Sequence, residues 1–186
     1  MLNLEISSAE LKVICTSIHL FNSNGFHNTG MNLLIKQANI QKATLYSYFQ
    51  SKERLIEMCI NFQTKLLKEA VLAIIYSSHY RTPIDKLKEI VILHADIKSL
   101  YHLILKAIFE VKIIYPEAYN MAVEYRKWLL HEISELIFSL ETHALKPDAS
   151  MVLNLIDGLL LQLLDSNNLD DRDKVVERFF GGVKLQ

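Results

Sequence analysis

The run Gln41, Lys42, Ala43, Thr44, Leu45, Tyr46, Ser47, Tyr48, Phe49 gathers side chains suited to reading DNA. A Gln amide can pair with adenine, and a Thr methyl can meet the methyl of thymine, so Gln41 and Thr44 are candidates for base edges. Ala43 would lie at the groove surface beside them. Lys42 and Lys52 carry the charge that phosphate contacts use, and the Tyr46 hydroxyl can reach a phosphate while its ring stays apolar. Tyr48, Asn32 and Thr29 complete the candidate DNA-contacting set. Leu45 and Phe49 read instead as core, because a head this small needs apolar residues to hold it together.

No second chemistry competes with this one. The chain has no glycine-rich phosphate loop, no HExxH pair, and no Cys-His or Ser-His-Asp set whose convergence the sequence can show. Its histidines are scattered, and Cys15 and Cys59 have neither a disulfide framework nor metal-ligand spacing. No catalytic residue, metal or cofactor is therefore expected. Two other readings stay open: a helical interaction module whose head no longer binds DNA, and a helical enzyme.

The elements that would position these residues have local signatures. Ser7 and Glu10 form a capping-box pattern, and the helix after it sets Leu11, Ile14, Cys15, Ile18 and Phe21 at helical spacing. Gly25 can take the positive φ that stops a helix. Thr29 is suited to cap a short helix running to Ala38, with Leu34 and Ile35 inward and Asn32 and Lys36 outward. Asn39 tolerates the left-handed conformation a tight turn requires. A second short helix over about 41–48 follows, and Ser51 caps a long one with Leu55, Cys59, Phe62, Leu66 and Ala73 on one stripe, reaching Ser77 or Ser78. Helix, tight turn, helix, long helix is the layout of a helix-turn-helix.

The same residues carry a specific resemblance. Gly25-Phe26, Thr29, Leu34-Ile35, Ala38-Asn39, Gln41-Lys42-Ala43-Thr44-Leu45-Tyr46, Tyr48-Phe49 and Ser51-Lys52-Glu53 follow in order, without gaps. This resembles the N-terminal domain of the tetracycline-repressor (TetR) family of bacterial transcription regulators. Ile35, Asn39, Gln41 and Ala43 depart from the family's usual Ala, Gly, Ser and Gly, and these changes bear on which operator is read. The resemblance implies an all-α chain: a three-helix DNA-binding domain over residues 1–52, joined by a long helix to a helical effector-binding and dimerisation domain over 53–186. It implies a homodimer on a palindromic operator, commonly a repressor released by a small molecule that repositions the heads.

Composition agrees. The chain has 186 residues, enough for a substantial core, and half are hydrophobic, yet only 5 are Gly and 3 Pro, which favours long helices with few turns. The net charge of −1 excludes a generally basic, histone-like binder. Charge is unevenly spread: Lys36, Lys42, Lys52 and Arg54 face only Glu53 within 25–55, whereas the segment after Pro147 is acidic. No apolar stretch approaches the ~20 residues of a membrane span, and the N-terminus lacks a signal-peptide pattern. A cytoplasmic protein without membrane contact is expected.

Pro83, Pro116 and Pro147 read as helix starts. In the helix from Pro116, Tyr125, Leu129, Ile133, Leu136 and Leu140 recur at helical spacing. The segment after Pro147 is apolar over much of its surface, with Val152, Ile156, Leu159 and Leu163 on one stripe and Leu153, Leu160 and Leu164 on the next. It is either a central core helix or a subunit interface. A helix-turn-helix reads half a palindrome, and the second half needs a second copy, which favours the interface. The expected interface is Val152, Ile156, Leu159, Leu160 and Leu163 with Val176, Phe179 and Phe180 from a last helix over about 170–180. Gly158 could allow close helix approach there. Polar or aromatic groups on apolar segments suggest an effector pocket: Phe62, Leu66, His94, Tyr101, His102, Phe109, Tyr125 and Trp128. Such a set would suit a hydrophobic or aromatic effector, although each residue taken singly fits a core or surface role better.

Overall fold

The computed structural model describes residues 7–140 and 146–182, the side chains of 146, 147 and 182 excepted. Among the described residues there are nine helices and no strand: α1 (Ser8–Asn24), α2 (Met31–Ala38), α3 (Lys42–Phe49), α4 (Lys52–Ile75), α5 (Pro83–His94), α6 (Tyr101–Glu110), α7 (Pro116–Phe138), α8 (Lys146–Ser166) and α9 (Leu169–Gly182). The all-α class is as expected. The chain divides into two compact units. One holds the residues up to Gln63 together with Leu103–Val123; the other holds Thr64–His102 together with Glu124 onward.

In the first unit, local rules set the helix ends. Ser7 and Glu10 make the capping box: the Ser7 hydroxyl accepts the Glu10 N–H at 3.2 Å, and the Glu10 carboxylate accepts the Ser7 N–H at 2.8 Å. Gly25 ends α1 at φ 84°, ψ 160°, a region open essentially to glycine alone. Asn39 makes the α2–α3 turn at φ 52°, ψ 56°, the left-handed conformation expected of it. The Ser51 hydroxyl accepts the Arg54 N–H at 3.0 Å and starts α4.

Several expected details differ. The cap of α2 is Gly30, not Thr29, and it makes no side-chain bond. The inward face of α1 is Val13, Ile14, Ser17, Leu20 and Phe21; Leu11 and Cys15 face solvent. Along α4, Leu55 and Cys59 are buried as expected, but the buried face continues through Ile56, Ile60, Gln63, Leu67, Val71 and Ile74, while Leu66 and Ala73 are exposed. The sequence reading also lacked α6. Tyr101, Leu103, Ile104, Leu105 and Ala107 are buried, and the polar His102, Lys106 and Glu110 recur every fourth residue on the other side, a periodic signal that runs for only ten residues. Ser99 starts it, accepting the Tyr101 N–H at 3.1 Å.

Each proline falls in the first turn of a helix: Pro83 in α5 and Pro147 in α8 in the second unit, and Pro116 in α7 in the first. Thr82 and Asp85 form a second capping box at α5. Helix α5 packs against α8 and α9, which also pack on each other. Asp148–Ser166 is long and apolar enough to cross a membrane by length and composition, longer than the apolar run read from sequence. Its Val152, Ile156, Leu159, Leu160 and Leu163 are buried within the fold, as in the core helix of a globular unit.

Candidate nucleic-acid interface

The αL turn at Asn39 sets α3 across the end of α2. Leu34, Ala38, Leu45 and Phe49 are fully buried beneath the pair, with Phe26 and Phe21 stacked at 5.0 Å between ring centroids. On the outside, α3 presents Gln41, Lys42, Ala43 and Tyr46, all exposed. Lys42 and Tyr46 lie one turn apart, with the ammonium 5.9 Å from the ring centroid. Gln41 makes no side-chain bond at its own helix start, so its amide is not committed to capping. Thr44 is half-buried at the edge of this face. Tyr48 is half-buried too, its ring edge-on to Phe49 at 6.0 Å. Asn32 is exposed on the first turn of α2, whose opening N–H groups have no side-chain cap.

Two of the expected contacts have other surroundings. Thr29 is fully buried, and its hydroxyl donates to the carbonyls of Gly25 at 2.8 Å and Leu20 at 3.2 Å. It pins the α1–α2 corner from inside, and its side chain does not face a duplex. Lys52 is half-buried, with its ammonium 5.8 Å from the Tyr115 ring centroid, and burial lowers its pKa. Sequence reasoning missed two exposed residues beside the reading face, Ser47 and Gln50. Ser47 is committed locally, donating to the Thr44 carbonyl at 2.8 Å; Gln50 ends α3 at a positive φ of 60°.

The second unit brings together four of the expected effector residues and adds two. His94 is fully buried: Nδ1 lies 2.7 Å from the Ile90 carbonyl and Nε2 2.7 Å from the Tyr125 hydroxyl. A carbonyl only accepts, so Nδ1 carries the proton and Nε2 receives the Tyr125 O–H. Burial depresses the His94 pKa to about 4, opposed by the Ile90 hydrogen bond and by Asp157. Burial likewise raises the phenol pKa of Tyr101 and of Tyr125. The Tyr101 hydroxyl donates to Asp157 at 2.8 Å and accepts from Arg126, and Arg126 makes a fork-to-fork pair with Asp157 at 2.7 and 2.6 Å. The Trp128 ring stands 5.7 Å from that of Tyr125, and the Lys68 ammonium lies 5.2 Å from the Trp128 centroid. Arg126 and Asp157 lie 31 residues apart and carry no sequence signal that joins them. Of the remaining candidates, Leu66 and Phe109 are exposed, the latter by 69%, and Phe62 and His102 are half-buried.

The expected interface residues are corrected. Val152, Ile156, Leu159, Leu160, Leu163, Val176 and Phe180 are buried within the single chain, where they face α5 and the partner helix of the α8–α9 pair. They are core. The outward stripe of α8 is Met151, Asn154, Gly158, Leu161 and Asp165, with Leu164 beside it. On α9, Val175 and the half-buried Phe179 line a shallow apolar depression with Lys174 and Arg178. A Cβ placed on Gly158 would meet nothing within 4 Å, so its smallness serves no contact inside the chain.

Residues 14–59 match the family described as bacterial regulatory proteins, tetR family. A curated relative, the biofilm operon icaADBC HTH-type negative transcriptional regulator IcaR of Staphylococcus aureus, is 25% identical over 139 residues, covering 73% of this chain and 67% of the relative. A TetR-family transcriptional regulator from Streptomyces coelicolor superposes with a TM-score of 0.78 at 22% identity, covering 95% of this chain and 92% of that one. A TetR transcriptional regulator from Legionella pneumophila gives 0.81 at 16%, covering 96% and 98%. A regulator structure from Saccharomonospora viridis, in complex with choline, gives 0.80 at 16%, covering 93% and 95%.

Proposed function

We propose that this chain, a transcriptional regulator of the TetR family rather than an enzyme, works in the cytoplasm as a homodimeric repressor that leaves a palindromic operator when a small molecule binds. The observation that carries the reading is the exposed face of α3. Gln41, Lys42, Ala43 and Tyr46 point outward from a fully buried Leu45–Phe49 base, with Thr44 and Tyr48 at its margin. That is a rigid short helix with hydrogen-bonding and cationic groups on its free side, the form a major groove accepts. Lys52 and the uncapped start of α2 with Asn32 supply phosphate contacts at its flanks. Residues 1–52 serve as the reading head and 53–186 as the effector-binding and dimerisation body.

The dimer uses the outward faces of α8 and α9. Met151, Leu161 and Leu164 are 55%, 50% and 44% exposed, and Val175 and Phe179 add an apolar patch. A two-fold axis would set these stripes against their own copies in a four-helix bundle, with Gly158 letting the helices close in. The effector reading rests on the cluster of His94, Tyr101, Tyr125, Arg126, Trp128 and Asp157. Three aromatic rings beside directed polar groups suit a small molecule with an apolar or aromatic body and a polar end. Such a ligand releases DNA only if it binds the non-DNA conformation more tightly.

Selection from a random-sequence duplex pool with the purified protein tests the reading. Enrichment of an inverted repeat, bound in the presence of competitor and weakening steeply with salt, is the expected result. A pool that returns unenriched would overturn it. Trp128 is the sole tryptophan, so its emission then reports on effector candidates, and a true effector must also release the selected duplex.

A further inference from the structure

The reading segment α2–α3 is held at both of its chain ends by one distant stretch, residues 106–115. At the end of α1, the Lys106 ammonium donates to the Asn22 carbonyl at 3.1 Å. This is an orphan acceptor in the last turn of the helix, where a cation is also favoured by the helix dipole. At the α1–α2 corner, the Phe26 N–H donates to Glu110 Oε2 at 2.9 Å, and His27 Nε2 donates to the Glu110 carbonyl at 2.8 Å. Lys106 and Glu110 lie one turn apart, 3.4 Å between charged atoms, so each holds the other in place. At the start of α4, the Tyr115 ring lies under the Lys52 ammonium at 5.8 Å, and it stacks on His27 with centroids 6.5 Å apart and planes at 21°. Asn22 to His27 precede the reading helices, and Lys52 follows them.

The corner is built for this approach. A Cβ on Gly25 would stand 3.1 Å from Glu110 Oε2, so a larger residue there would push the carboxylate away. The φ of 84° turns the Phe26 N–H outward, toward that carboxylate. The sequence signals that explain the reading head end at Glu53; none of them requires Glu110, Lys106 or Tyr115.

We propose that Lys106, Glu110 and Tyr115 form a clasp that fixes the orientation of the DNA-reading helices, with Glu110 as its positioning residue. The proposal rests on the DNA-reading function of α3. Glu110 touches no DNA; it acts through the Phe26 amide and through the backbone carbonyl it offers to His27. Without its carboxylate, the corner loses a charge-assisted hydrogen bond. The head then samples more orientations, and binding must order it again.

The test compares wild-type protein with Glu110→Ala and Glu110→Gln. Gln keeps an oxygen that accepts from the Phe26 N–H; Ala does not. Lys106→Met, which leaves Glu110 in place, is the substitute where Glu110→Ala fails to fold, with the same expected direction. Two quantities are read: backbone hydrogen exchange over residues 22–52, and affinity for a duplex recovered with wild-type protein from a random-sequence pool. Glu110→Ala should exchange faster around Phe26 and bind the duplex at least tenfold more weakly, at unchanged dimer mass. Glu110→Gln should restore most of both, whereas Glu110→Met, which fills similar space without an acceptor for the Phe26 N–H, should restore neither, a split that a merely volume-filling role would not produce. Wild-type affinity in Glu110→Ala, or equal losses in Glu110→Ala and Glu110→Gln, overturns the clasp. If wild-type protein recovers no duplex, the DNA reading itself has failed, and exchange alone decides: unchanged protection in Glu110→Ala overturns the clasp, and faster exchange rescued by Gln upholds it.

Discussion

Replacing Leu161 by arginine should split the dimer and leave a folded monomer, whereas glutamate at Leu159, two residues away, should unfold the chain. The contrast follows from which way each side chain points. Leu159 is 3% exposed, against the body core, and Leu161 is 50% exposed on the outward stripe of α8. Fully burying a leucine contributes about 1.5–3 kcal/mol, so the exposed half of Leu161 can contribute about 1 kcal/mol per chain to association, or about 2 per dimer. Two arginines without partners inside the interface, one from each chain, cost about a further 1–3 kcal/mol each. The sum, about 4–8 kcal/mol, weakens dimerisation by about three to six powers of ten. Leu161→Ala should lose only the first part. Losing the buried Leu159 side chain, by contrast, costs about 2–5 kcal/mol before its new carboxylate is desolvated, a large share of the ~5–15 kcal/mol that stabilises a typical domain. Sedimentation equilibrium across a range of protein concentrations gives the dissociation constants, and circular dichroism reports folding. A Leu161→Arg protein that dimerises as tightly as wild type would refute the assigned interface. A soluble, folded monomer of Leu159→Glu would show that the two faces of α8 had been exchanged.

Three further outcomes are expected. Gly25→Ala should destabilise the chain by about 1–3 kcal/mol, because alanine is poorly accommodated at this φ and ψ and its methyl meets Glu110; an unchanged urea midpoint at fixed protein concentration would contradict this. Asp157→Ala should cost about 3 kcal/mol, since it strands the Arg126 guanidinium beside Tyr101. Adding Arg126→Met should recover part of that loss, and purely additive losses in the double-mutant cycle would mean the pair is uncoupled. His94 is held neutral with a pKa of about 4, below its ordinary 6.5. Its contribution is therefore present above pH ~6.5 and is lost as pH falls toward ~4, by about 3 kcal/mol at ~1.4 kcal/mol per unit. Urea titrations through that window should show a shallower pH dependence in His94→Gln than in wild type, and parallel curves would exclude His94 as the source.

What could be read from the sequence was what short-range chemistry decides. Gly25, Asn39 and Ser51 each end or start a helix by a rule that involves only their near neighbours, and all three act as those rules require. The outward face of α3 was legible for the same reason: a helix this short leaves few ways to bury Leu45 and Phe49 without turning Gln41, Lys42 and Tyr46 outward. Thr29 shows where that logic stops. A threonine before a helix suits a cap, but the Leu20 carbonyl that receives its hydroxyl lies nine residues back, across the corner. Helix α8 shows a second limit. Periodicity finds apolar stripes, and on a helix apolar over much of its circumference it finds several; only the positions of α5 and α9 decide which stripe is core. The stripe with the purest aliphatic content went inward, and the more mixed one, with Met151, Asn154 and Gly158, faces outward. Arg126 and Asp157 mark the third limit. Each is an ordinary charged residue on its own helix, and the sequence around neither one calls for the other. Their two parallel hydrogen bonds, with Tyr101 joined to both, exist because α7 and α8 bring them together. Taking both charges from water is justified only by that geometry. The proposed effector cluster therefore consists of side chains that no local pattern joins, while the proposed DNA-reading face consists of side chains within about one turn of each other.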